Sequence, residues 1–327
     1  MRRVQSNRQQ AGGYTLIELL VVIAIIMLLI GLLLPAVQKF RAKGPQVQTK
    51  SEIGQIENAI ESFKTTYDVK YLPSVWVLAY DYNPGAMPAP AANALRDARQ
   101  YYSKVWPKGF VPGSPGFANV PANTNRIGMD GNQALVFFLG GISPPTGGPP
   151  NGFPASWQGN RTGFNNSPIN PFNYNGTTTC NAVAGANSKG VFYDFNPKQM
   201  DASGHYHDPH WSPNDSNPAV AAGNIYYYFS AKEGNDYDYF GGYAPLFDVI
   251  FSTPGLIYAS GGYGNVHPFR GTDNKYLNGG KYQIISAGAD HVAGAAPFVW
   301  PSASNMQGQA GGDDQSNFTP GAVMSGR

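Results

Sequence analysis

The chain has 327 residues, enough for one large or two small domains beyond any membrane segment. Its formal net charge is only +2, and removing the three charges of Arg2, Arg3 and Arg8 leaves −1, so no basic field exists to hold nucleic acid. Gly (40) and Pro (27) make about a fifth of the chain, short of the ~25–30% of low-complexity sequences, and an ordered core with long irregular loops is expected. The single cysteine, Cys180, excludes an internal disulfide and leaves the compartment open. It lies in an Asn/Gly/Thr loop with no nearby Lys, Arg or His in sequence to make a reactive thiolate.

The first element is an apolar helix. Leu19 to Leu34 are sixteen residues without a charge. Extended to Tyr14–Val37, the helix would be about 36 Å long, enough to cross a hydrocarbon core of ~30 Å. A secretory signal peptide explains the basic start, but the apolar run is long and PAVQKFRAKG offers no A-x-A cleavage site. A plain membrane anchor explains the length but not Glu18, since a carboxylate costs roughly 2.5–3.5 kcal/mol at the centre of an inserted helix and less near the interface. A third reading uses every feature. Cleavage between Gly13 and Tyr14 places a new amine four residues before Glu18, on the same chain or a neighbour. Pairing would offset the burial of the carboxylate and set axial register between subunits.

The short basic leader ending in Gly, followed by YTLIELLVVIAIIMLLIGLLLPAV, resembles the class III signal of type IV pilins and type II secretion pseudopilins. The resemblance implies a leader of residues 1–13, cleavage after Gly13 by prepilin peptidase, N-methylation of Tyr14, an assembly role for Glu18, and Pro35 as the proline common near that point of the mature helix. Tyr14 departs from the usual Phe or Met while remaining aromatic. It also implies a single-pass inner-membrane subunit with its leader in the cytoplasm and its head in the periplasm. The charges alone do not orient it, because Lys39, Arg41 and Lys43 match the three leader arginines. Gly31 and Pro35 weaken the helix, either as tolerated membrane residues or as a segment that bends on packing into a filament.

Residues 38–72 read as an amphipathic continuation. Ile53, Ile56, Ile60, Phe63 and Tyr67 recur in steps of three and four, with Glu57 and Glu61 on the other side. IENAIESFKTTYDVKYLP resembles the corresponding stretch of the major pseudopilin of type II secretion. One helix from about Tyr14 to Tyr67 is expected, broken or bent near Pro35 and Gly44–Pro45, with Pro73 ending any helical reading.

The remaining residues, 73–327, form the head. Helices are expected over Ala91–Val105 and Asp130–Gly141, the latter capped by Asp130 and closed by Gly140 or Gly141. Residues 142–224 are crowded with Gly, Pro and Asn, without periodicity, and read as a large surface insertion. Strands are expected over residues 225–230, 247–251, 256–259 and 282–286, making a small antiparallel sheet against the helix. The fold class is therefore α+β.

Two clusters offer metal ligands. Asp290, Asp313 and Asp314 present oxygen ligands of the kind that suit Ca²⁺. Tyr282, Ile285, Ser286, Gly288, Ala289 and Asp290 resemble the strand-plus-turn that precedes the calcium loop of major pseudopilins, although His291 stands where Gly is usual and the intervening loop is longer. His205, His207 and His210, with Asp201 and Asp208, form a second candidate cluster for Zn²⁺ or Cu²⁺. No G-x-S-x-G, P-loop or H-E-x-x-H motif is present. Another group of processed pilin-like proteins ends in a His plus Asp-Gly motif; His267 is present, but Asp290 is followed by His291.

The reading that absorbs most of these features is a non-enzymatic, pseudopilin-like subunit of a periplasmic type II secretion fibre. Its expected partners are prepilin peptidase, further pilin-like subunits and an inner-membrane assembly platform. The alternatives are a minor pilin or surface adhesin whose insertion binds a surface or polymer, and a membrane-anchored enzyme built on the histidines.

Overall fold

A computed structural model describes residues 15–74, 76–78, 82–83, 89–109, 126–142, 161–173, 187–201, 204–212, 224–231, 256–258, 266, 268–271, 273, 275–288, 291, 299–300 and 314–318. Two compact units are distinguished, Met1–Pro45 and Gln46–Arg327.

The helix α1 runs over Leu16–Tyr67, 52 residues. Its helical assignment runs through Pro35 and Gly44–Pro45, so of the expected break or bend the break is absent. Within the first unit, Leu16–Leu34 is a nineteen-residue stretch long and apolar enough to cross a membrane, with none of it buried. Within the second unit, Ile53, Ile56, Ile60, Phe63 and Tyr67 are all buried, as their spacing requires. The helix stops at Tyr67, six residues before Pro73. Asp68 takes a left-handed backbone (φ 51°) and the Val69 N–H donates to the Lys64 carbonyl at 3.0 Å, a Schellman closure with aspartate where glycine is usual.

The strands and helices of the head follow. β1 (Trp76–Leu78) pairs antiparallel with β2 (Arg126–Met129), and β2 pairs parallel with β4 (Leu256–Tyr258). α2 (Ala89–Val105) buries Ala92, Leu95, Ala98, Tyr101, Tyr102 and Val105 along one face. α3 (Gly131–Gly140) is buried at all ten positions, which its GNQALVFFLG sequence permits because no charge falls on any face. The antiparallel sheet consists of β3 (Tyr226–Ser230), β6 (Tyr282–Ser286) at its centre, and β8 (Gln315–Ser316). A two-stranded parallel pair, β5 (Arg270–Gly271) with β7 (Val299–Trp300), completes the described strands. The α+β class holds, with a mixed second sheet beside the expected antiparallel one. The strand expected over 247–251 lies outside the described residues.

Alternation along β3 and β6 divides the core. Tyr226, Tyr228, Tyr282 and Ile284 join the cluster of Ile56, Ile60 and Phe63. Ile225, Tyr227, Phe229 and Ile285 form a second cluster with Val266 and Phe269.

The segment expected to be a surface insertion contributes large side chains to the core where it is described. Phe164, Phe172, Tyr193, Phe195, Met200 and Tyr206 are buried in the main core. Phe164 and Phe172 lie 4.9 and 5.2 Å from the Trp106 ring, centre to centre. Isolated aromatics between Gly and Asn residues carry no periodic signature, yet each buries a large apolar area.

Candidate functional site

The first candidate site is the start of α1. Thr15 precedes the first helical residue and Glu18 is the third. The Thr15 N–H and hydroxyl both donate to Glu18 Oε2, at 2.8 and 2.9 Å. The Glu18 N–H donates back to Thr15 Oγ1 at 3.3 Å. This is a reciprocal capping box, in which two backbone donors with no helical partner are satisfied together. A carboxylate in the first turn also faces the positive end of the helix dipole. The charge that looks misplaced in an apolar run thus has a local role. The T-x-x-E spacing of TLIE carries that signal in the sequence itself. Gly13 and Tyr14 lie outside the described residues, and Pro35 is helical backbone. Downstream of the cap, Leu16, Met27 and Leu32 are 82%, 70% and 69% exposed, so the helix presents an apolar surface that nothing in the chain covers among the described residues.

The profile of the prokaryotic N-terminal methylation motif matches residues 8–34, a stretch that includes Thr15, Glu18 and the apolar start of α1. The chain carries the type IV pilin and pseudopilin signature. The motif implies processing by prepilin peptidase and assembly of this pilin-like chain with other pilin subunits. No curated protein and no solved structure matches the chain.

The second candidate site lies in the head of the pilin-like chain. Asp130 caps α3: its Oδ1 accepts the Gln133 N–H at 2.9 Å, and the Gln133 side chain accepts the Asp130 N–H at 3.2 Å. The other Asp130 oxygen lies 2.8 Å from His205 Nε2. The opposite ring nitrogen, Nδ1, lies 3.1 Å from Asp201 Oδ2, and Asp201 Oδ1 accepts the His205 N–H at 2.8 Å. His207 Nε2 is 3.3 Å from the same Asp201 Oδ2, and its ring stacks on Trp211 at 4.1 Å. Burial by itself would discharge His205, but the charge and hydrogen bond of Asp130, then those of Asp201, prevail and push its pKa up to about 10. Asp201 is opposed by its own burial, yet the His205 and His207 contacts hold its carboxyl below the usual range. The result is a buried cation between two carboxylates, tying the 201–207 segment to the first turn of α3.

Asn132 adds a neutral clamp beside it. Its Oδ1 accepts the Tyr206 N–H at 2.7 Å, and its Nδ2 donates to the Tyr206 and Tyr226 carbonyls at 2.8 Å each. Glu52 of α1 is a further buried carboxylate, accepting from the Tyr226 hydroxyl at 2.6 Å, Gln48 Nε2 at 2.9 Å and Gln199 Nε2 at 3.2 Å. Sequence reasoning misses Glu52, because a carboxylate at that point of an amphipathic helix reads as a solvated flank. Glu57 and Glu61 are likewise engaged: Glu57 accepts from Asn317 Nδ2 at 3.1 Å, and Glu61 lies 3.5 Å from the Tyr282 hydroxyl.

The expected metal ligands are distributed as follows. His205 and His207 converge on Asp201, whereas His210 sits by Asp208, with Nδ1 at 3.4 Å from Oδ1. Among the described residues, no group of three or more His, Cys, Asp or Glu side chains is arranged to hold a metal ion. Asp290, Asp313 and His267 lie outside the described residues, while Asp314 is fully buried at the start of β8. His291 takes a left-handed backbone (φ 62°), a conformation that glycine adopts without strain.

Proposed function

We propose that this chain is a structural subunit of a type II secretion fibre, a pseudopilin held in the inner membrane by Leu16–Leu34 with its head in the periplasm. The observation that carries the reading is the methylation motif lying on a helix whose apolar surface is uncovered among the described residues. A bilayer covers such a surface before assembly, and the same helices of neighbouring subunits cover it within a fibre. An inner-membrane assembly platform would supply the work of moving the helix between the two. The secretion role is favoured over a pilus by the resemblance of IENAIESFKTTYDVKYLP and YQIISAGAD to the major pseudopilins. The first of these supplies Ile56, Ile60 and Phe63 to the core, and the second supplies the central strand β6.

Calcium belongs to the same reading. Asp314 is buried beside β6, and the buried oxygens Asn224 Oδ1 and Gln315 Oε1 have no hydrogen-bond partner among the described residues. Oxygen atoms without donors suit a hard cation, which Asp290 and Asp313 would help to hold. The test of the secretion role is deletion of the chain from its native cell. Accumulation of exported proteins in the periplasm with surface pili intact supports the fibre. Loss of pili or of surface attachment with normal export would transfer the chain to the minor pilins or adhesins.

A further inference from the structure

The chain holds a single Asp-Pro step, Asp208–Pro209, within YHDPHW. Two features make such a bond chemically weak. The proline nitrogen belongs to a tertiary amide without an N–H, and it departs as a secondary amine. The aspartate carboxylate is a nucleophile one ring closure away from its own backbone carbonyl carbon. In an unfolded chain the bond is still long-lived, because nothing orients the side chain or stabilises the charge that develops.

The fold supplies what the bare dipeptide lacks. The Asp208 N–H donates to the Asn224 carbonyl at 2.7 Å, and the Asp208 carbonyl oxygen accepts the Trp211 N–H at 3.0 Å, closing a turn over Pro209 and His210. That second donor is aimed at the oxygen on which negative charge would gather during attack. The Trp211 ring stacks on His207 at 4.1 Å, which fixes the far side of the turn. The Asp208 side chain is fully buried and held at both oxygens: the Ser286 hydroxyl donates to Oδ2, and the His210 N–H donates to Oδ1 at 2.8 Å. The His210 ring stands beside it, with Nδ1 3.4 Å from Oδ1, and neither ring nitrogen makes a hydrogen bond among the described residues. Pro209 is half-buried, so the bond lies where the chain leaves the core and water can follow.

We propose that this turn is a self-cleaving site, which breaks the chain between Asp208 and Pro209 without a protease. A carboxylate oxygen of Asp208 bonds to the Asp208 carbonyl carbon, and the oxyanion so formed faces the Trp211 N–H. Its collapse breaks the C–N bond; the electron pair goes to the Pro209 nitrogen, which takes a proton from the protonated His210 ring. The products are a five-membered cyclic anhydride at Asp208 and a new N-terminal proline. Water opens the anhydride to the side-chain carboxylate and a new α-carboxylate; of the two protons released, one returns to His210 and one goes to the amine. The strands β3, β6 and β8 all fall in the piece 209–327. They stay joined to the rest by Asn132 Nδ2 on the Tyr226 carbonyl at 2.8 Å and by the Tyr226 hydroxyl on Glu52 at 2.6 Å, so the head remains folded as two chains.

The test is incubation of the purified full chain in detergent with protease inhibitors, followed by denaturing gels, size exclusion and mass spectrometry. A piece beginning at Pro209 should appear about a hundredfold faster or more than in the same chain unfolded in urea, and should co-elute with its partner piece. Hydroxylamine, which captures an anhydride, should leave a hydroxamate on Asp208. Asp208→Asn and Pro209→Ala should both stay whole, the second keeping the Asp208 carboxylate in place should the first unfold the head. His210→Gln should slow cleavage by about a hundredfold, and an unchanged rate would overturn its part as proton donor. A folded wild-type chain that stays whole, that is cut no faster than the unfolded one, or whose Asp208→Asn variant is cut equally fast would overturn the proposal.

Discussion

Replacing His205 with Gln removes the one cation between Asp130 and Asp201, and the size of the loss follows from the geometry. Both ring nitrogens lie within 3.1 Å of a carboxylate, and the side chain is 1% exposed. The His205 pKa stands at about 10 against an ordinary 6.5. At about 1.4 kcal/mol per pH unit, that difference corresponds to about 5 kcal/mol. Breaking a buried ion pair by removing one partner costs about 3–5 kcal/mol on independent grounds, so a loss of about 3–5 kcal/mol is expected. Because the folded-state pKa is raised, this stabilisation is complete below about pH 6.5 and disappears as pH rises through about 10. Asp201 works in the opposite sense: its pKa is depressed, so its contribution is present above the ordinary carboxylate range and disappears as pH falls. Denaturant unfolding of the full chain in detergent, followed by near-ultraviolet circular dichroism between pH 6 and 10.5, measures the loss at pH 7 and the high-pH decline that belong to His205. The wild type should lose stability over the upper part of that range, and His205→Gln should be weaker at pH 7 and nearly flat above it. A loss below about 1 kcal/mol at pH 7, or an unchanged high-pH decline, would refute the assignment of a buried charged pair.

Four further outcomes follow. Tyr226→Phe removes a donor 2.6 Å from the buried Glu52 carboxylate and should cost about 1.5–3 kcal/mol in the same unfolding assay. Gly141→Ala should cost about 2–4 kcal/mol and lower the yield of folded chain, because Gly141 has φ 75° and an added Cβ would lie 2.3 Å from the Gly163 carbonyl carbon. Glu18→Ala should still be cleaved after Gly13, as gel mobility would show, yet give little fibre when sheared fractions are counted. Normal fibre yield from Glu18→Ala would remove the assembly role of Glu18, and Gly13→Ala should instead leave the longer, uncut chain in the membrane.

What was legible in the sequence was local. The three-and-four spacing from Ile53 to Tyr67 locates the buried face of α1, and Asp130 with the Gly140–Gly141 pair brackets α3. The YQIIS strand emerges at Tyr282–Ser286, as its β-branched and aromatic content requires. What was not legible joins residues far apart in sequence. Asp130 meets His205 across 75 positions, and Glu52 meets Gln199 across 147. No periodicity announces such pairs, because each residue alone looks like a solvated loop or flank. The Gly- and Asn-rich segment misleads for the same reason. Its scattered aromatics, Phe164, Phe172 and Phe195, fill the core singly and without a repeat. Glu18 is a different case, since the T-x-x-E signature is local and readable, but weighing the carboxylate only against the bilayer hides the helix cap it makes with Thr15.

The central claim is that this chain is processed and assembled through its N-terminal helix. Its most direct test is the intact mass of the protein purified from its native membrane. The account predicts a mature chain beginning at N-methylated Tyr14, with residues 1–13 absent. A full-length chain retaining Gly13 and an unmethylated Tyr14 would contradict it, and would leave Leu16–Leu34 as an ordinary membrane anchor.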